Sequence, residues 1–146
     1  MQVTHTTVPQ PVPHQLLALR GRVAPADTDH LRGWCYHALT DPGGGDLVVD
    51  VREVTSFDDA AMAALSSGRL RARHLARHLV LVDAADGALA LSLRRTGLAF
   101  RFPRYGTPAE AAEALASDRG AQARRDLPQE ALWRAAAASD RAAAGE

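Results

Sequence analysis

The sequence predicts an α/β domain: a mostly parallel or mixed β-sheet with an N-terminal hairpin and flanking helices, followed by a C-terminal helical extension. Three observations predict it. The continuous apolar runs "LVVDV" and "HLVLVD" have the character of strands buried on both faces. Segments of helical periodicity alternate with them, which implies parallel strands joined by right-handed crossovers. The β-branched opening "MQVTHTTV" is joined to "QLLALRGRV" by the proline-rich "PQPVPH", an extended connection between two antiparallel strands.

The elements follow in order. Asp27 is an expected N-cap for a helix over residues 28–39, with Leu31, Trp34, Cys35, Ala38 and Leu39 at helical spacing. "TDPGGGD" is a loop, and "LVVDV" a strand. The helix after "FDD" runs to about residue 77, with Ala61, Leu65, Gly68, Ala72 and Leu75 on one stripe. "HLVLVD" is the next strand, which His78 is expected to begin. "GALALSLRRTG" is a helix stopped by Gly97. "LAFRFPRY" supplies a last short strand. In "TPAEAAEAL", Thr107 is the N-cap, Pro108 the first helical residue and Glu110 the partner in a capping box. The α/β domain is expected over residues 1–118 and the helical extension over 119–146. Helix propensity is high from Pro128 onward, and Leu127, Leu132 and Trp133 are the extension's main large apolar residues. That segment reads either as an extra partner-binding helix or as a tail docked on its own domain.

Composition narrows the function. An apolar fraction of 47% suits a packed domain rather than a disordered chain. The net charge of zero gives no support to nucleic-acid or anionic-membrane binding. All 17 basic residues are arginines. The absence of lysine removes the P-loop, Schiff-base and receiver-type phosphoaspartate chemistries. One cysteine forms no internal disulfide, no segment has the length of a membrane span, and the N-terminus lacks a signal core. The expectation is a cytoplasmic protein without membrane insertion.

The densest chemistry is in "VTSFDDAAMAAL", where Asp58 and Asp59 stand between a strand and an alanine-rich helix. A helix start carries unsatisfied N–H groups and partial positive charge, so an aspartate there is stabilised by about 0.3–1 kcal/mol. Capping by Asp58 and decoration of the helix start by Asp59 are a sufficient physical account. Once helical, adjacent side chains point about 100° apart, which disfavours a catalytic pair.

The segment "GDLVVDVREVTSFDDAAMAAL" resembles the centre of STAS domains, the fold of anti-sigma factor antagonists. There a strand ending in "VVDL" leads through "VTFID" to "SSGL" and a helix. "HLVLVD" resembles the family's next strand, and "LRRTGLAFRFPRYGTPAEAAEAL" its ending. "LLALRGRVAPADTDHLRGW" is similar to its early strand and first helix. The resemblance spans residues 1–118. It implies a non-enzymatic, regulatory protein-binding module that needs no cofactor. The implied partner is a protein such as an anti-sigma factor kinase, and a homodimer is allowed. The alternative is an adaptor subunit of a stress-signalling or transport complex.

Motif matching places Asp58 on the family's aspartate and Asp59 on its phosphoacceptor serine. Ala60 stands for the second serine and Ala61 for the glycine. The usual phosphoacceptor is therefore absent, and Asp59 offers one permanent charge where phosphoserine carries about −1.5 to −2. The expected contact surface centres on Ser56, Asp58, Asp59, Ala60 and Met62. It extends along the second helix through Leu70 and Arg73, with His74 and Arg77 nearby.

Other candidates have ordinary readings beside the chemical ones. His74 and His78 have a zinc-compatible spacing, but "HLARH" lacks the metalloprotease glutamate, and basic groups near a helix C-terminus are favourable anyway. Cys35 and His37 lie two apart on a helix and face apart, so Cys35 reads as a buried small hydrophobe. "DPGGGD" precedes a strand and lacks the helix start that phosphate loops use.

Overall fold

The computed structural model describes residues 1–125, with side chains to residue 121. The expected helix from Pro128, with Leu132 and Trp133, lies outside the described residues, as does Leu127. The elements are β1 (Gln2–Val8), β2 (His14–Val23), α1 (Thr28–Thr40), β3 (Asp46–Phe57), α2 (Met62–His74), β4 (Leu79–Val82), α3 (Ala88–Arg95), β5 (Arg104–Tyr105) and α4 (Pro108–Arg125). Two compact units divide the chain, Met1–Leu115 and Ala116–Glu146.

The sheet belongs to the first unit, and its strand order is β1-β2-β3-β4-β5. β1 and β2 form the antiparallel hairpin, with Val8 opposite His14. The remaining pairs are parallel. Because side chains alternate across a strand, each run feeds two cores. Leu17, Leu19, Leu47, Val49, Val51, Leu79 and Leu81 face α1, α2 and α3. Val48, Val80 and Val82 face the opposite way, toward Ala111 and Leu115 of α4. The unbroken apolar runs thus mark strands covered on both sides.

Several local expectations change. β3 continues six residues past Val51, to Phe57. Past Asp50, the residues Glu53, Val54, Ser56 and Phe57 pair with β2 and none pairs with β4, so burial becomes intermittent and the apolar signal stops early. β5 has only two residues: Phe102 turns into the core, whereas Phe100 is 84% exposed. Asp27 does not cap α1 by its side chain. Its carboxylate accepts from the Ala24 amide at 2.9 Å and closes a preceding 3-10 turn, Pro25–Asp27. Trp34 lies at the exposed edge of the α1 stripe, while Leu31, Cys35, Ala38 and Leu39 are buried.

The end of α3 and the start of α4 follow the expectation except in the second half of the Glu110 capping box. α3 ends before Gly97, whose φ of +73° suits glycine. The Thr107 hydroxyl accepts from the Glu110 amide at 3.2 Å. The Glu110 carboxylate reaches back one residue further than a capping box requires, to the Gly106 amide at 3.2 Å.

Candidate protein-interaction site

The end of β3 is tied to the end of β2 by the Asp58 amide, which donates to the Val23 carbonyl at 2.9 Å. Asp58 is extended and its Oδ1 accepts from the Ala60 amide at 2.8 Å. It therefore caps the 3-10 turn Asp59–Ala61 that leads into α2. The cap is local, and its carboxylate points at the backbone.

Asp59 points elsewhere. Its Oδ1 accepts from the Ser92 hydroxyl at 2.5 Å and from Arg95 Nη2 at 3.0 Å, while Arg95 Nε lies 3.4 Å from Oδ2. Ser92 and Arg95 are three apart on α3, so one helix face presents both donors. The Arg95 hydrogen bond, then that of Ser92, holds the Asp59 carboxyl below its ordinary range. The Arg95 guanidinium is pushed up by the same bond. Both side chains remain about half exposed, so the pair is a surface feature rather than a buried lock.

A concavity of about 360 Å³ opens beside this pair. Ser56 lines it and lies directly opposite Arg22 in the β2–β3 register. Its wall thus carries Arg22 and Arg95 against Asp58 and Asp59. Such a surface has the polar, charge-patterned character of a protein-contact rim.

Of the residues expected at the site, Ser56, Asp58, Asp59 and Ala60 come together at the β3–α2 junction and are exposed. Met62 does not join them. Only 3% of it is accessible and it packs in the core, because the 3-10 turn shifts the phase of the helix that follows. Leu70 is 57% exposed on α2, and Arg73 is exposed near its end. Arg77 does not flank Leu70. α2 ends at His74, and the Arg77 guanidinium donates to the Leu39 carbonyl at the end of α1. Leu75, expected on the buried stripe, is 41% exposed just past the helix. Ala76, at φ 54°, turns the chain there.

Ser92 and Arg95 were not singled out from the sequence. They lie 33 and 36 residues from Asp59, and only the packing of α3 beside the junction brings them there.

The remaining chemical candidates are placed plainly. Cys35 is buried, and burial pushes its thiol up to about 12, while His37 lies on the exposed side of α1. His74 ends α2, and His78 stands just before β4 rather than in it. Among the described residues, no group of three or more His, Cys, Asp or Glu is placed to hold a metal ion. No helix of the described residues is long and apolar enough to cross a membrane.

Comparison with protein families finds a match over residues 6–100 to the model described as "Mlab, STAS domain". The chain belongs to the STAS domain family. Among solved structures, this STAS domain is similar to the anti-sigma factor antagonist SpoIIAA in its unphosphorylated form. The TM-score is 0.64 at 14% identity, covering 80% of this chain and 97% of the other. An anti-sigma factor antagonist from Mycobacterium paratuberculosis gives the same score at 17% identity, covering 79% and 95%. The phosphorylated form of Bacillus SpoIIAA gives 0.58 at 12%, covering 77% and 98%. At these identities the likeness concerns the fold. A comparison with curated proteins finds no match.

Proposed function

We propose that this STAS domain is a non-enzymatic regulatory module that binds a partner protein at the β3–α2 junction, in the manner of anti-sigma factor antagonists. The contact surface comprises Ser56, Asp58, Asp59 and Ala60, continued along α2 by Leu70 and Arg73. The partner class is an anti-sigma factor kinase or a protein built like one. The observation that carries this reading is the state of Asp59. Asp59, which motif matching alone puts on the family's phosphoacceptor serine, is an exposed carboxylate whose charge is met by Arg95 and Ser92 of the same chain.

That pairing bears on how the seat works. A phosphoserine would present a charge near −2 to a partner. Asp59 presents one charge, already engaged by an arginine. The partner therefore meets a constant ion pair, which supports constitutive association over a surface that is switched off. Purification of the partner from the native host, followed by affinity measurements on Asp59→Ser and Asp59→Ala, tests this. Both substitutions are expected to change the affinity. No change in either removes Asp59 from the interface. Recovery of no protein partner together with turnover of a small molecule overturns the binding-module reading.

The second reading is an adaptor subunit of a stress-signalling or transport complex, a role that the STAS domain family match leaves open. The two separate on the identity of the purified partner: a kinase or sigma regulator for the first, a multisubunit assembly for the second.

A further inference from the structure

A second surface lies between α1 and α2, and it shares no lining residue with the concavity beside Asp59. Asp29, Arg32, Gly33, Tyr36, Ser67, Gly68 and Arg71 line a groove of about 340 Å³. Its two glycines have different origins. At Gly68 a Cβ would lie 3.1 Å from Leu79 Cδ1 and 3.3 Å from Cys35 Cβ, so close packing of α2 on β4 and α1 explains it. At Gly33 a Cβ would meet no described atom within 4 Å. Gly33 sits inside α1, where glycine is less stable than alanine, and packing gives no reason for it. The groove does, because a side chain at this position would stand in it.

The walls are equally specific. The Arg71 guanidinium lies 4.7 Å from the centre of the Tyr36 ring, which is 51% exposed. Between residues 60 and 82 the chain has four arginines (Arg69, Arg71, Arg73 and Arg77) and no Asp or Glu, although it has 17 of each sign overall. On α1, Arg32 and Asp29 answer each other at 2.8 Å. The charge directed at a visitor is thus positive and comes from Arg71. The groove lies near the small end of the roughly 300–1,000 Å³ typical of ligand sites. That suits one large side chain better than a run of stacked bases.

We propose that the α1–α2 groove docks an acidic segment of a partner protein. A carboxylate of that segment meets Arg71, and one bulky apolar side chain lies over Gly33 and Gly68 against the Tyr36 ring. This proposal does not rest on the role of Asp59.

The test uses the isotope-labelled full chain and a short helix-forming peptide rich in Asp and Glu with a central Leu. A matched peptide has Gln in place of every acid. The acidic peptide is expected to shift the amides of Gly33, Tyr36, Ser67, Gly68 and Arg71. It should bind about tenfold more tightly than the Gln peptide. Gly33→Leu fills the groove where the fold has open space, and Arg71→Glu reverses the wall charge. Each should remove that binding while leaving the thermal midpoint close to that of the wild type. Equal binding of both peptides, absence of binding, unaltered binding by both variants, or shifts confined to other residues would each overturn the proposal. So would displacement of the same amides by an oligouridine or by phosphatidylglycerol vesicles but not by the acidic peptide.

Discussion

Asp59 and Asp83 are carboxylates on which the fold acts in opposite directions. Hydrogen bonds from Arg95 and Ser92 lower Asp59. Desolvation raises Asp83, which is buried and accepts from the Ala84 and Ala90 amides at 2.9 and 3.1 Å. Linkage gives the two contributions opposite signs. That of Asp59 is present above the unfolded carboxylate value of about 3.9 and is lost as pH falls through its lower folded value. That of Asp83 is present below about 3.9 and is lost as pH rises through its higher folded value. Urea unfolding midpoints followed from acid to neutral pH should separate them. Arg95→Ala is expected to reduce the loss of stability on the acid side. Asp83→Asn should instead flatten the decline on the way up. Identical pH profiles for both variants and the wild type would show that neither carboxylate is coupled to folding as described. At this scale the sequence was legible where a contact is local. The Asp58 cap spans two residues and was expected. The partners of Asp59 come from another helix, and no single-sequence pattern announces a contact of that separation.

α3 shows how an element can start without the usual residue at its cap. Gly87 occupies the N-cap in an extended conformation, and the Asp83 carboxylate receives the Ala90 amide instead. A Cβ on Gly87 would stand 2.1–2.3 Å from that carboxylate. Gly87→Ala is therefore expected to destabilise the domain by about 1–3 kcal/mol, measurable as a lower urea midpoint. A midpoint equal to the wild type would mean that the Asp83 contact yields at little cost. Helices and their order were legible because their apolar stripes face the sheet. Their ends were less so. α2 stops at His74 through the turn at Ala76, a residue type that rarely takes positive φ, and this alone exposes Leu75 and redirects Arg77. Met62 was misplaced because a 3-10 turn, not an α-helical one, begins that segment. The lengths of β3 and β5 escaped for a related reason: apolar runs report coverage by neighbours, not backbone pairing.

For the molecule as a whole, the alternation of runs and stripes was enough to predict the parallel sheet, its antiparallel hairpin and the two-sided core. Charge was legible only as a total. A net charge of zero conceals an acid-free stretch over residues 60–82, and its significance comes from the groove it borders. The unequal lengths of the central strands have a further result. Leu47–Asp50 of β3 are paired with strands on both sides, whereas residues 53–57 are paired with β2 alone. The candidate contact residues stand at the end of that singly supported stretch. Amide hydrogen exchange should therefore be graded along one continuous strand, slow at 47–50 and faster at 53–57. Uniform protection would contradict this. A partner seated on Ser56 to Ala60 should slow exchange at the far end and leave the near end as it was. The strand would then report occupancy of the surface through its own local opening, without any displacement of the sheet.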